Sequence, residues 1–189
     1  MKKKDVKAIV GTALSLLLIC AVAAGLVALV NSVTAPKIAE ADENAKTESI
    51  RDILEDAETI DDLALEGAEG YVGKGADGAT VGYVFVTEAS GYNGRLKVMT
   101  GFTPDGMVKK ISILTINDTP GLGMKAKNDD FKNQFNDTDG ELTVVKNGEP
   151  EQNEIQAITS ATITSKGVVK AVNDARALFE KVAGKEADA

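Results

Sequence analysis

The polar and apolar positions of this chain fall into zones of different period. From Ala8 to Val30 there are 23 residues without a charge, which at about 1.5 Å rise per residue makes a helix roughly 35 Å long, enough to cross a bilayer. Thr12 and Ser15 interrupt the run, but their hydroxyls can bond back to helix carbonyls, and Gly11 and Gly25 are tolerated in such helices. A single transmembrane helix over residues 8–30 is expected. After Pro36 the segment Lys37 to Glu66 becomes acidic and rich in Ala, with Ile38, Ile50, Ile53 and Leu54 partly at helical spacing. That pattern predicts a helical stalk over 31–66.

From Gly70 onward the period shortens. Val81–Thr87, Leu96–Phe102 and Val108–Leu114 are runs of Val, Ile, Phe and Tyr that read as strands. Ser90-Gly91-Tyr92-Asn93-Gly94 and Thr103-Pro104-Asp105-Gly106 separate them with turn residues, so antiparallel pairing is expected. A short helix is predicted over Asp129–Phe135 and a β-like run over Leu142–Val145, closed by a turn at Asn147-Gly148. Val168, Val172, Ala175, Phe179 and Val182 then recur every three or four residues, one apolar stripe on a helix from about Ser165 to Val182. Thr164 or Ser165 is placed to cap its start. The fold class expected over residues 67–189 is therefore α+β, a small antiparallel sheet with flanking helices, preceded by the single N-terminal transmembrane helix.

Charge orients the chain and narrows its chemistry. Lys2, Lys3, Lys4 and Lys7 precede the apolar run and the next basic residue is Lys37, an asymmetry that puts residues 1–7 in the cytoplasm and the main domain outside. A cleaved signal peptide has an apolar core of only about 7–15 residues, so this run is expected to stay as the single-pass anchor in the cell (inner) membrane. Residues 32–189 carry 17 basic and 28 acidic side chains, a balance that keeps the domain off anionic headgroups. With a net charge of -8 and no Trp, nucleic acid is excluded as a partner.

The sequence has no His, and its one cysteine, Cys20, sits inside the apolar run. Imidazole and thiolate metal ligands, and Ser–His or Cys–His nucleophile pairs, are thereby missing from the outer domain. Redox chemistry there needs a cofactor that requires neither residue, such as a flavin or a nicotinamide. The acidic pairs Glu40 with Asp42 and Asp129 with Asp130 read as solvated surface, and no residue stands out as an acid–base catalyst.

Two segments carry candidate chemistry. Ile158-Thr159-Ser160-Ala161-Thr162-Ile163-Thr164-Ser165 clusters hydroxyls just before the last helix, where the unpaired N–H groups of a helix N-terminus favour a phosphate. From physics alone a Thr/Ser-rich turn that merely caps the helix is the better account. Asn117-Asp118-Thr119-Pro120-Gly121-Leu122-Gly123-Met124-Lys125 is a Pro-Gly turn whose glycines let the backbone approach a flat ligand, with Leu122 and Met124 as apolar contacts. Gly121 to Ala126 also fits the dinucleotide pattern G-x-G-x-x-A, but Pro120 directly before it and the absence of a parallel βαβ pattern exclude that reading.

The first segment resembles the S/T-G-A-T-x-T/S flavinylation motif of the RnfG proteins of Rnf ion-translocating complexes and of the related NqrC proteins of the Na+-translocating NADH:quinone reductase. The second resembles that family's E-T-P-G-L-G stretch, with Phe131 and Phe135 downstream. The resemblance implies an FMN-binding domain in which Thr162 carries FMN as a phosphoester and Thr119, Gly121, Leu122, Gly123, Ala161, Thr164 and Ser165 contact the cofactor. It further implies an electron-transfer subunit linking ferredoxin and NAD+ to ion movement, with the other Rnf subunits and a maturing flavin transferase as partners. Chain length favours the RnfG assignment over NqrC, with a stand-alone FMN carrier third and a non-redox anchored adaptor as the rival of another class. Ser160 stands where the family usually has Gly, and Gln156 where an Asp is common. The first change is small unless the backbone there needs a positive φ.

Overall fold

The structure is a computed structural model that describes residues 3–65, 67–146 and 148–187, with side-chain surroundings for 9–184 within them. Lys2 of the basic head, Glu66 at the end of the expected stalk and Asn147 of the expected turn lie outside the described residues. The chain divides into two compact units, Met1–Asn44 and Ala45–Ala189.

The described residues of the first unit lie within helix α1, Lys3–Ile53. Its apolar part is exposed throughout, and it is long and apolar enough to cross a membrane. Ser15 Oγ donates to the Gly11 carbonyl at 3.0 Å, the back-bonding that makes a hydroxyl tolerable in such a helix. Pro36 lies within α1 and does not end it.

In the second unit the helical part of the expected stalk stops at Ile53. The remainder of that segment contains a strand, β1 (Thr59–Leu63), which pairs with β2 (Glu69–Lys74). β3 (Thr80–Gly91), β4 (Gly94–Phe102) and β5 (Val108–Thr115) complete a five-stranded antiparallel meander in sequence order. A two-residue hairpin, Tyr92-Asn93, joins β3 to β4, and Gly91 pairs with Gly94 across it. The short helix expected at Asp129–Phe135 is α2 (Asp129–Lys132) continued by a 3₁₀ turn to Phe135. β6 (Thr143–Val145) pairs in parallel with β7 (Glu154–Gln156), a strand too short to show as a run in the sequence.

The last helix, α3 (Thr162–Ala187), begins earlier than its apolar stripe predicts. Thr164 and Ser165 therefore lie in its first turn and do not cap it. Their side chains are buried, so they interrupt the apolar pattern while still facing inward.

The pleat assigns the two faces of the sheet. Tyr83, Phe85, Leu96, Val98 and Phe102 face Val168, Val172, Ala175 and Phe179 of α3 in the main core. Val84, Val86 and Met99 point the other way and pack on Ile50, Ile53 and Leu54 at the end of α1. The approach there is close, since a Cβ on Gly101 would lie 2.0 Å from Ile53 Cγ2. Arg176 of α3 is buried and donates to the carbonyls of Gly106 at 2.9 Å and Thr138 at 3.3 Å, with its guanidinium 5.4 Å from the Phe102 ring centroid. Burial pushes its pKa down. The fully buried hydroxyl of Thr100 has no hydrogen-bond partner among the described residues.

Candidate functional site

The start of α3 is shaped by a turn that Ser165 locks. Ala161 N–H donates to the Ile158 carbonyl at 2.9 Å and Ser165 N–H to the Ala161 carbonyl at 3.0 Å. Ser165 Oγ accepts from Ile158 N–H at 3.0 Å and donates to the Ala161 carbonyl at 3.1 Å. Within this turn Ser160 adopts φ +65°, the left-handed conformation that favours glycine. The replacement of the family's Gly thus falls where it carries strain. Thr162, the first residue of α3, is half-buried, and the N–H groups of that first turn have no acceptor inside the helix.

Asp118 holds the turn against two other segments. Its Oδ1 accepts from the Asn93 N–H of the β3–β4 hairpin at 2.7 Å, and its Oδ2 accepts from the Thr164 hydroxyl at 2.5 Å. Asn93 in turn donates its side-chain amide to the Asn117 carbonyl at 2.9 Å. Gly123 is needed beside this latch, because a Cβ there would meet Asp118 Cβ and Oδ2 at 2.6 Å and Thr164 Oγ1 at 2.7 Å. Gly167 lets α3 approach the hairpin, since its Cβ would lie 2.6 Å from the Ser90 carbonyl oxygen. Gly121 has φ +77°, as the Pro-Gly turn requires.

The three segments enclose a cavity of about 400 Å³, within the range of small-molecule and cofactor sites. Its lining brings together Thr119, Leu122, Gly123, Ala161, Thr162 and Thr164 of the residues expected at the site. Gly121 shapes the turn, and Ser165 is fully buried in its own hydrogen bonds; neither lines the cavity. Gln156, the other departure from the family, donates its amide to the Lys146 carbonyl at 3.1 Å and is also outside the lining.

Sequence reasoning missed Tyr92, Asp118, Ser160 and Ile163 as site residues. Tyr92 left a signal, an aromatic in a two-residue hairpin turn where Asn, Asp or Gly is usual. Asp118 lay within the Pro-Gly segment, but its role did not show because its partners lie 25 and 46 residues away. Tyr92 is 69 % exposed, Ile163 55 % and Leu122 41 %, so large apolar side chains rim a cavity that has a helix N-terminus in its wall.

Comparison with known proteins gives two family matches, an FMN-binding domain over residues 91–177 and an RnfG N-terminal region over residues 1–53. The chain is 35% identical over 175 residues to the G component of the proton-translocating ferredoxin:NAD(+) oxidoreductase complex of Clostridium ljungdahlii, covering 92% of this chain and 93% of that protein. The chain belongs to the RnfG family. The G component of the Na(+)-translocating ferredoxin:NAD(+) oxidoreductase complex of Acetobacterium woodii is 40% identical over 190 residues, covering 89% of this chain and 90% of that one. The crystal structure of the C component of Na(+)-translocating NADH-quinone reductase from Parabacteroides distasonis superposes with a TM-score of 0.48 and 24% identity over 55% of this chain and 56% of that one.

Every residue lining the cavity falls inside the FMN-binding domain of this RnfG family member. The residues suit the cofactor: exposed apolar side chains for a flat ring, and free N–H groups at a helix start for a phosphate.

Proposed function

We propose that this chain is the flavin-bearing electron-transfer subunit of an Rnf-type complex and that Thr162 holds FMN through a phosphoester to its Oγ. The observation that carries this reading is the position of Thr162, half-buried at the first residue of α3 and lining a cavity rimmed by exposed Tyr92, Leu122 and Ile163. FMN, when bound, supplies the redox chemistry. The chain's own residues attach and orient it. The first turn of α3 offers unpaired N–H groups and a partial positive charge to the phosphate. Ala161, small and buried, leaves the approach to Thr162 open, and Leu122, Ile163 and Tyr92 offer apolar surface to the ring.

In the same reading α1 anchors the protein in the cell membrane with Lys3, Lys4 and Lys7 on the cytoplasmic side and the FMN-binding domain outside. Its partners are the other Rnf subunits, and a flavin transferase matures it. The test is intact mass and in-gel ultraviolet fluorescence of the denatured chain after coexpression with an active flavin transferase. Wild type gains the mass of FMN minus water and fluoresces, and Thr162→Ala does neither. A dark, unmodified wild type would withdraw the covalent flavin and the relay with it.

A further inference from the structure

We propose that Asp118 is the positioning residue of this site and the charge that holds down the reduction potential of the flavin attached there, an inference that rests on the reading of Thr162 given above. The cavity has walls from the β3–β4 hairpin, the Pro-Gly loop and the start of α3, and Asp118 belongs to the middle one while bonding to both others. It is 6 % exposed. Its two oxygens accept from Asn93 N–H and from the Thr164 hydroxyl, two residues beyond Thr162 on the same helical turn. Thr162 therefore presents its hydroxyl at a place fixed by Asp118, and Gly123 packs against the latch so closely that even a methyl group would displace it.

The electrostatic consequence follows from what surrounds the carboxylate. Among the described residues Asp118 is the only charged side chain in the cavity lining, and no Lys or Arg forms an ion pair with it. Two hydrogen bonds screen its charge but do not neutralise it, and a buried charge acts through a low local dielectric. Reduction adds electron density to a flavin ring. A fixed carboxylate in the wall of its cavity opposes that gain and makes the potential more negative.

The experiment is a redox titration of the full chain in detergent, coexpressed with an active flavin transferase, with the flavinylated fraction read by intact mass. Asp118→Asn keeps the shape, removes the charge and spoils one of the two acceptors. We expect a lower flavinylated fraction and a potential shifted to more positive values. Asp118→Glu, which restores the charge and the residue type of the E-T-P-G-L-G stretch, returns the potential to that of wild type. Thr164→Val leaves the carboxylate but removes the hydroxyl that screens it, and moves the potential the opposite way, more negative.

A purely structural Asp118 would alter the flavinylated fraction or the melting point and leave the potential in place. A flavinylated wild type with an Asp118→Asn potential equal to it overturns this inference and leaves the Thr162 assignment standing. If Asp118→Asn takes no flavin, Thr164→Val decides, and an unchanged or more positive potential overturns the inference. A wild type without covalent flavin overturns both.

Discussion

Gly167→Ala should destabilise this protein although intrinsic helix propensity says the opposite. In a helix interior the change from Gly to Ala gains about 1 kcal/mol. The new Cβ, however, would lie 2.6 Å from the Ser90 carbonyl oxygen and 2.9 Å from Leu96 Cδ2. Leu96 can adjust its rotamer; Ser90 cannot move alone. Its backbone pairs with Arg95 in a two-residue hairpin that Asp118 ties at Asn93. Overpacking costs about 1–3 kcal/mol, and an obstacle made of paired backbone belongs at the upper end of that range. The net loss is about 2 kcal/mol, which for a domain of this size lowers the melting midpoint by roughly 4–8 °C. Gly184→Ala on the same helix is the control, since nothing lies within 4 Å of its Cβ. It should keep most of the propensity gain and raise the midpoint by about 1–3 °C, reduced by its place near the helix end. The assay is thermal unfolding of the full chain in detergent, followed by far-ultraviolet circular dichroism. A Gly167→Ala chain that melts at or above wild type would refute the close approach of α3 to the hairpin.

Other substitutions probe other parts of the domain. Ser160→Gly removes a left-handed side-chain penalty of about 1–2 kcal/mol and returns about 0.4–1 kcal/mol of unfolded-chain entropy. It should raise the unfolding free energy by a net of about 0.5–1 kcal/mol, read as a higher denaturant midpoint with an unchanged slope. Thr100→Val replaces a buried hydroxyl that has no partner among the described residues, inside a strand that favours Val. It should stabilise by about 1–2 kcal/mol in the same measurement, and a loss would show that the hydroxyl is satisfied. The Glu88 carboxyl is held below its ordinary pKa chiefly by the hydrogen bond from Arg95, 2.8 Å away, opposed by a smaller effect of burial and helped by Lys97. A depressed carboxyl contributes stability that is present above the ordinary glutamate pKa and lost as the pH falls through the lower folded value. Unfolding midpoints taken from neutral to acidic pH should therefore fall slightly less steeply for Glu88→Gln than for wild type, and an equal slope would remove the pair from the account of stability.

The sequence showed most plainly what is buried and regular. Val81–Thr87, Leu96–Phe102 and Val108–Leu114 stood out because they pack on both faces, between α3 and the end of α1, and so approach continuous apolar runs. β1 was read as stalk because it is an edge strand: Thr59-Ile60-Asp61-Asp62-Leu63 is largely exposed, and acidic residues on an edge discourage further pairing. β2, with Glu69 and two glycines, offered little strand propensity of its own.

The start of α3 was misplaced because Thr164 and Ser165 are hydroxyl residues whose buried positions became visible only with their partners, Asp118 and Ile158. Thr162 could be read because its neighbours form a local motif. Thr119, Leu122 and Gly123 came from a second local motif, whereas the place of Tyr92 and the partners of Asp118 depend on contacts between segments far apart in the chain, which no local pattern encodes.

The latch at Asp118 also bears on the order in which the domain is built. Thr87 donates to the Ala171 carbonyl across 84 positions, and Asp118 meets Thr164 across 46. These contacts have high sequence separation, and such contacts close late because loop entropy must be spent before they form. During synthesis α1 emerges first and the meander next, while Thr162 comes with the final helix. Until α3 docks, the meander has an uncovered apolar face and the cavity has no third wall. The cavity is thus the last part of the molecule to come into existence, and a chain cut short before Thr162 loses the third wall of the cavity and the lid of the main core together.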